Sequence, residues 1–151
     1  MTLGLDTDVV VNWAMSGAEH HDAARALLRR EIQAGNTIAC TPQVFFEFIH
    51  VVTDERRFER PMPMSLALDT ARDFWDGPET IRVLPGPRVL HRTLELLGTL
   101  QLGRKRILDT ALAVTLDEAG VKRLATFSGR DFEPFSFLKI VDPLAATPTG
   151  R

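Results

Sequence analysis

A single cysteine, Cys40, stands in 151 residues, so no internal disulfide can form and a reducing, cytoplasmic setting suits the chain. Cys40 lies in an apolar, strand-like run and reads as a small core residue rather than a nucleophile. The four histidines (His20, His21, His50 and His91) are scattered, so no Cys/His cluster exists for zinc. No apolar stretch approaches the ~20 residues that span a bilayer, and a membrane role is not expected. The N-terminus lacks the basic flank and long apolar region of a secretion signal. Positive charge is not in excess: 18 Lys and Arg face 20 Asp and Glu, so the balance does not announce a nucleic-acid binder. A Ser/His/Asp elbow and a glycine-rich phosphate loop are also missing, as are internal repeats.

What remains has the composition of a globular domain, with 44% hydrophobic and 25% charged residues. The length fits one domain, expected over residues 1–143, with a polar, flexible tail over 144–151. Short β-type runs alternate with helical patterns, which predicts an α/β fold with a largely parallel sheet. Strands are expected at residues 2–6, 37–41, 81–84, 123–127 and 138–141. Ala23, Ala24, Leu27, Leu28 and Ile32 mark a helix that Gly35 caps. Thr41-Pro42 opens another, with Thr as N-cap and Pro at the first helical position. It runs to about residue 53, is apolar nearly all round and is expected to be buried. Further helices are expected over 65–77, over 87–102 with Leu90, Leu94, Leu97 and Leu100 inward, and over 107–119 with Gly120 as stop.

Four acids occupy positions where a carboxylate is costly. Asp6 ends the run Leu3-Gly4-Leu5, and Glu47 is the only charge in Val44-Phe45-Phe46-Glu47-Phe48-Ile49. Asp109 is the only charge between Ile107 and Leu116, and Asp131 closes the loop after Leu124-Ala125-Thr126-Phe127. A lone acid in an apolar run is most often a surface position. Four at such points suggest pairing, protonation or a bound cation. With strand order 3-2-1-4-5, Asp6 and the 128–131 loop would flank the switch point where open sheets bind ligands. Carboxylates there suit Mg²⁺ or Mn²⁺, which could serve in-line attack on a phosphodiester. Basic residues cluster as well: Arg56-Arg57 with Arg60, Arg104-Lys105-Arg106, Lys122-Arg123 and Arg130. Such runs are usually solvated faces, but beside an acidic site they could hold phosphates, and Arg104, Lys105, Arg106 and Arg130 are the candidates.

Four segments together resemble the motifs of the PIN domain, most closely in VapC-type toxins of bacterial toxin–antitoxin pairs. They are Leu5-Asp6-Thr7-Asp8-Val9-Val10, Thr41-Pro42-Gln43-Val44-Phe45-Phe46-Glu47-Phe48, Arg106-Ile107-Leu108-Asp109-Thr110-Ala111-Leu112-Ala113 and Ala125-Thr126-Phe127-Ser128-Gly129-Arg130-Asp131-Phe132. Each is weak alone; their order and spacing carry the match. The resemblance implies a three-layer α/β/α fold with a mostly parallel five-stranded sheet, and a Mg²⁺- or Mn²⁺-dependent endoribonuclease. It also implies an RNA substrate, a cognate antitoxin and a homodimer. Asp6, Glu47 and Asp109 match the family's metal-binding acids. Where the family commonly has Asp or Asn in its fourth motif this chain has Ser128, and Asp131 matches the second acidic position there. Asp8 stands where Asn is common, and capping of the following helix is its expected role rather than metal binding. Thr126 and Ser128 are expected to hydrogen-bond metal waters. An antitoxin helix is expected in an apolar groove between the 41–53 helix and the early helices, with His50 and Trp13 as contacts.

Two other readings compete. Asp6-Thr7-Asp8 also resembles the start of a haloacid-dehalogenase-type phosphatase, with Lys105 as its lysine, but the paired acids that chemistry needs are missing after the fourth strand. The non-enzyme alternative is a PIN-like scaffold that binds RNA or protein without cutting. Such a scaffold has no reason to keep costly acids.

Overall fold

The structure, a computed structural model, describes residues 1–145. Strand β1 (Thr2–Leu5) leads into helices α1 (Thr7–Ala14) and α2 (His21–Gln33), then β2 (Thr37–Cys40). Helices α3 (Pro42–Val52) and α4 (Met64–Trp75) precede β3 (Thr80–Arg82). Helix α5 (Val89–Thr99), a 3₁₀ turn at Arg104–Arg106 and α6 (Ile107–Glu118) precede β4 (Arg123–Ala125). A second 3₁₀ turn at Gly129–Phe132 leads to β5 (Lys139–Val141).

All five strands are parallel, in the order β3-β2-β1-β4-β5. The chain therefore builds outward from β1 to β3, then crosses back to β4. Right-handed crossovers put helices on opposite faces when the direction of travel reverses, giving the three-layer α/β/α arrangement. Consistent with this, α1 packs on α2 and α3, α3 on α4, and α5 on α6. The core is built from strand residues buried on both faces, such as Leu3, Leu5, Ile38, Ala39 and Leu124, together with Val9, Phe48 and Leu116. Gly4 is required by close packing: a Cβ there would meet Leu116 Cδ1 at 2.8 Å and the Arg123 carbonyl at 3.2 Å. Strand β1 thus lies directly against α6.

Local signals acted as expected at several points. Thr41 caps α3 by accepting from the Val44 amide, with Pro42 in the first turn. Gly35 and Gly120 adopt φ +81° and +78° just beyond α2 and α6. Other expectations need correction. The segment before β2 holds two helices rather than one, because Asp6 caps a separate α1 that the 23–32 pattern did not include. Ile32, expected inward, is 41% exposed. Helix α3 is not buried all round, since Phe46 is 71% exposed and His50 is also exposed.

Helix α5 is turned the other way from the expected face. Leu90, Leu94 and Leu100 are exposed, whereas Val89 and Thr93 are buried and Leu97 is half-buried. In this phase Arg92 reaches α6, where its Nη1 lies 2.7 Å from Asp117 and 3.2 Å from Glu118. Pro143 is buried, and residues 146–151, within the expected tail, lie outside the described residues. Among the described residues, no helix is long and apolar enough to cross a membrane.

Candidate active site

The strand order reverses between β1 and β4, and this is where the acids gather. Asp6 follows β1 and caps α1, its Oδ1 accepting from the Thr7 amide at 2.8 Å. Its amide donates to the Ala125 carbonyl at 3.0 Å, which extends the β1–β4 ladder by one rung. That rung brings buried Thr126 alongside, and its hydroxyl donates to Asp6 Oδ2 at 2.8 Å. Two segments 120 residues apart in the chain are thereby locked together.

Glu47, on α3, joins the crevice through the next residue of the first motif. The Thr7 hydroxyl donates to Glu47 Oε2 at 2.7 Å, and the Gln43 amide donates to Oε1 at 3.1 Å. Gln43 also donates to the Leu108 carbonyl at 3.2 Å, which ties α3 to the start of α6. Asp109 lies in the first turn of α6, where a carboxylate is favoured by the helix dipole. Arg106 Nη1 lies 2.9 Å from Asp109 Oδ2 and 2.8 Å from Asp131 Oδ2, so one guanidinium spans the third and fourth motifs.

The charges feel one another. Burial, then the neighbouring Asp8 and the more distant Asp109, push Asp6 up to about 7 against the hydrogen bonds from Thr126 and Thr7. Asp109 is also raised, first by burial and further by Asp131 and Glu47, while Arg106 opposes the shift. Asp109 is thus the electrostatic hub, sensing Asp6, Glu47 and Asp131. Among the described residues, no three His, Cys, Asp or Glu side chains stand close enough to hold an ion together in this arrangement. The acids are turned toward Thr7, Thr126 and Arg106. The donor set itself is all oxygen and suits a hard divalent cation.

Asp8 departs from its expected role, because Asp6 is the N-cap of α1. The Asp8 carboxylate instead holds the loop after β4, accepting from the Phe127 amide at 3.2 Å and from the Ser128 hydroxyl at 3.0 Å. Burial raises its pKa, opposed by these bonds. Thr126 and Ser128 are therefore occupied by Asp6 and Asp8. Arg104, Lys105 and Arg130 are exposed around the crevice. Two contributors escaped the sequence reading: Thr7, although it stands between two singled-out acids, and Gln43, one helical turn before Glu47. Cys40 is buried in β2 with its thiol pushed up to about 12, in keeping with a core role.

The two contacts expected for a partner helix, Trp13 and His50, do not share the cavity that Trp13 lines. Trp13 lines a cavity of about 530 Å³ with Leu28 and Ile32 of α2 and Leu66 and Phe74 of α4; α3 and His50 take no part in it. Arg25 covers the Trp13 ring at 4.2 Å.

A five-stranded parallel sheet in this order, with acids from four segments at its carboxyl edge, defines a class, and residues 4–137 match the model of the PIN domain. The chain belongs to the PIN-domain family. Over 144 residues it is 26% identical to Ribonuclease VapC24 of Mycobacterium tuberculosis (strain CDC 1551 / Oshkosh), covering 95% of this chain and 98% of that protein. The fold is similar to that in the crystal structure of VapBC2 from Rickettsia felis bound to a DNA fragment from their promoter (TM-score 0.66, 17% identity, 94% of this chain and 98% of that one). It is similar also to Mycobacterium tuberculosis VapC20, described as a sarcin-ricin-loop-cleaving toxin (TM-score 0.60, 14% identity, 85% of this chain and 92% of that one). The haloacid-dehalogenase reading falls with this membership. Lys105 is exposed on the turn before α6, and Glu47 has a place in the crevice.

Proposed function

We propose that the chain is a divalent-metal-dependent endoribonuclease and the toxin of a toxin–antitoxin pair, acting in the cytoplasm on RNA phosphodiester bonds. The observation that carries this reading is the Asp6 carboxylate, half-buried near other acids and held by hydroxyl and amide donors, with no basic side chain bonded to it among the described residues. A hard cation would satisfy it. The relatives support the reading by name: one is called a ribonuclease, one a sarcin-ricin-loop-cleaving toxin, and one is a VapBC pair.

In this reading Asp6, Glu47 and Asp109 would hold Mg²⁺ or Mn²⁺, with Asp131 as a further ligand. The ion would supply an activated water and stabilise charge on the leaving oxygen. The chain's own residues prepare the site. Thr126 and Thr7 hold the rotamers of Asp6 and Glu47, and Gln43 keeps α3 at a fixed distance from α6. Asp8 pins the loop that delivers Asp131. Arg104, Lys105 and Arg130, all exposed, would meet the RNA backbone in this reading. A cognate antitoxin and a second copy of the chain are the partners that this reading adds.

The test is cleavage of a total-RNA pool by purified protein with Mg²⁺, with Mn²⁺ and with EDTA, beside Asp109→Asn. Discrete fragments that need metal and vanish in the variant are expected. If there is no cleavage and Mn²⁺ binds the wild type no better than the variant, the protein is a non-catalytic scaffold.

A further inference from the structure

Arg106 puts a positive charge inside the crevice where a metal ion would go. Its backbone is fixed: its carbonyl accepts from the Thr110 hydroxyl at 2.7 Å, and its amide donates to the Gly103 carbonyl at 2.9 Å. The guanidinium arm is free to move by comparison, being about a third exposed and bound only through its contacts with acids. A simple i,i+3 surface pair would account for Asp109. It does not account for Asp131, which comes from the turn after β4 and lies 2.8 Å from the same nitrogen.

A cation seated on Asp109 and Asp131 would stand within a few ångströms of this guanidinium. At that range two positive charges repel strongly even at a surface-like effective dielectric. Partly exposed ion pairs are weak because solvent screens them, so the arm is cheap to displace. A divalent ion gains more, because it also relieves the burial of Asp6. Resting on the nuclease reading above, we propose that Arg106 is a displaceable counter-ion, which competes with the divalent cation for Asp109 and Asp131 and so sets the metal concentration at which the site loads.

Calorimetric titration of the full chain with Mn²⁺ tests this, comparing wild type, Arg106→Gln, Arg106→Lys and Asp109→Asn. Removing the guanidinium is expected to tighten Mn²⁺ binding by about tenfold. Arg106→Lys, which keeps the charge but loses the fork that spans both acids, should tighten it less. Should Arg106→Gln fail to fold by circular dichroism, Arg106→Lys carries the test alone. Unchanged or weaker Mn²⁺ binding in a folded Arg106 variant overturns the proposal and leaves Arg106 as a residue that merely orients the acids. If wild type and Asp109→Asn bind Mn²⁺ equally, the nuclease reading itself fails, and this inference with it.

Discussion

The two sides of the crevice handle negative charge in opposite ways. On the β1 side, Asp6 and Asp8 are half-buried and held by hydroxyl and amide donors alone among the described residues. On the α6 side, Asp109 and Asp131 are also half-buried but share the guanidinium of Arg106. The first side can stabilise its charge only by taking up a proton or a cation. The second carries its own counter-charge. One crevice thus leaves its negative charge without a basic partner on one side and partly neutralises it on the other.

The largest expected effect separates the acids by role. Asp6→Asn and Glu47→Gln should each lower cleavage on the order of 10³-fold or more, the scale of losing metal-borne charge stabilisation. Asp131→Asn should cost far less, since Asp131 is expected only to complete the set. Single-turnover cleavage of an identified RNA fragment measures all three, and equal losses would erase the distinction between the sides.

Stability against pH gives the next contrast. The folded protein protonates Asp6 near pH 7, whereas an unfolded chain does so near 3.8. Folding is thus relatively favoured below about pH 4, and that advantage is lost as pH rises through about 7. Asp6→Asn keeps the helix cap, because Asn caps as well as Asp. It should therefore raise stability at pH 8 by up to about 4 kcal/mol and leave pH 4 unchanged. Thermal melts at the two pH values decide this. A Mn²⁺ concentration one hundred times its Kd should stabilise the wild type at pH 8 by about 2.7 kcal/mol, and Asp6→Asn by much less.

The smaller effects concern the contacts that join the two sides. Gly4→Ala should cost about 1–3 kcal/mol, because its Cβ would push Leu116 and with it α6 away from β1. Denaturant unfolding measures this. A loss below 0.5 kcal/mol, roughly the scale of a neutral surface change, would mean that α6 yields without strain.

Much of this was legible in the amino-acid order. A parallel strand buried on both faces is a short apolar run, and the acid that ends it is conspicuous; Asp6 was readable for that reason. Glu47 and Asp109 stood out by the same contrast within helices. Helix phase was less legible. Leu90 and Leu94 form a more apolar stripe than Val89 and Thr93, yet the latter face inward, on the side where Arg92 meets Asp117 and Glu118 of α6. Charge pairing across segments was least legible. Arg106 looked like one residue of a basic triplet, and its i,i+3 spacing to Asp109 points to no more than a pair on the helix surface. Its position depends on where the turn after β4 brings Asp131.

Cys40 gives the molecule a built-in clock for unfolding. With its thiol pushed up to about 12, on the order of one molecule in 10⁵ carries a thiolate at neutral pH, and β2 is shielded by β1 and β3. A thiol reagent can therefore react only when the middle of the sheet opens. Labelling rates of the unmodified chain report the frequency of that opening, with no engineered probe.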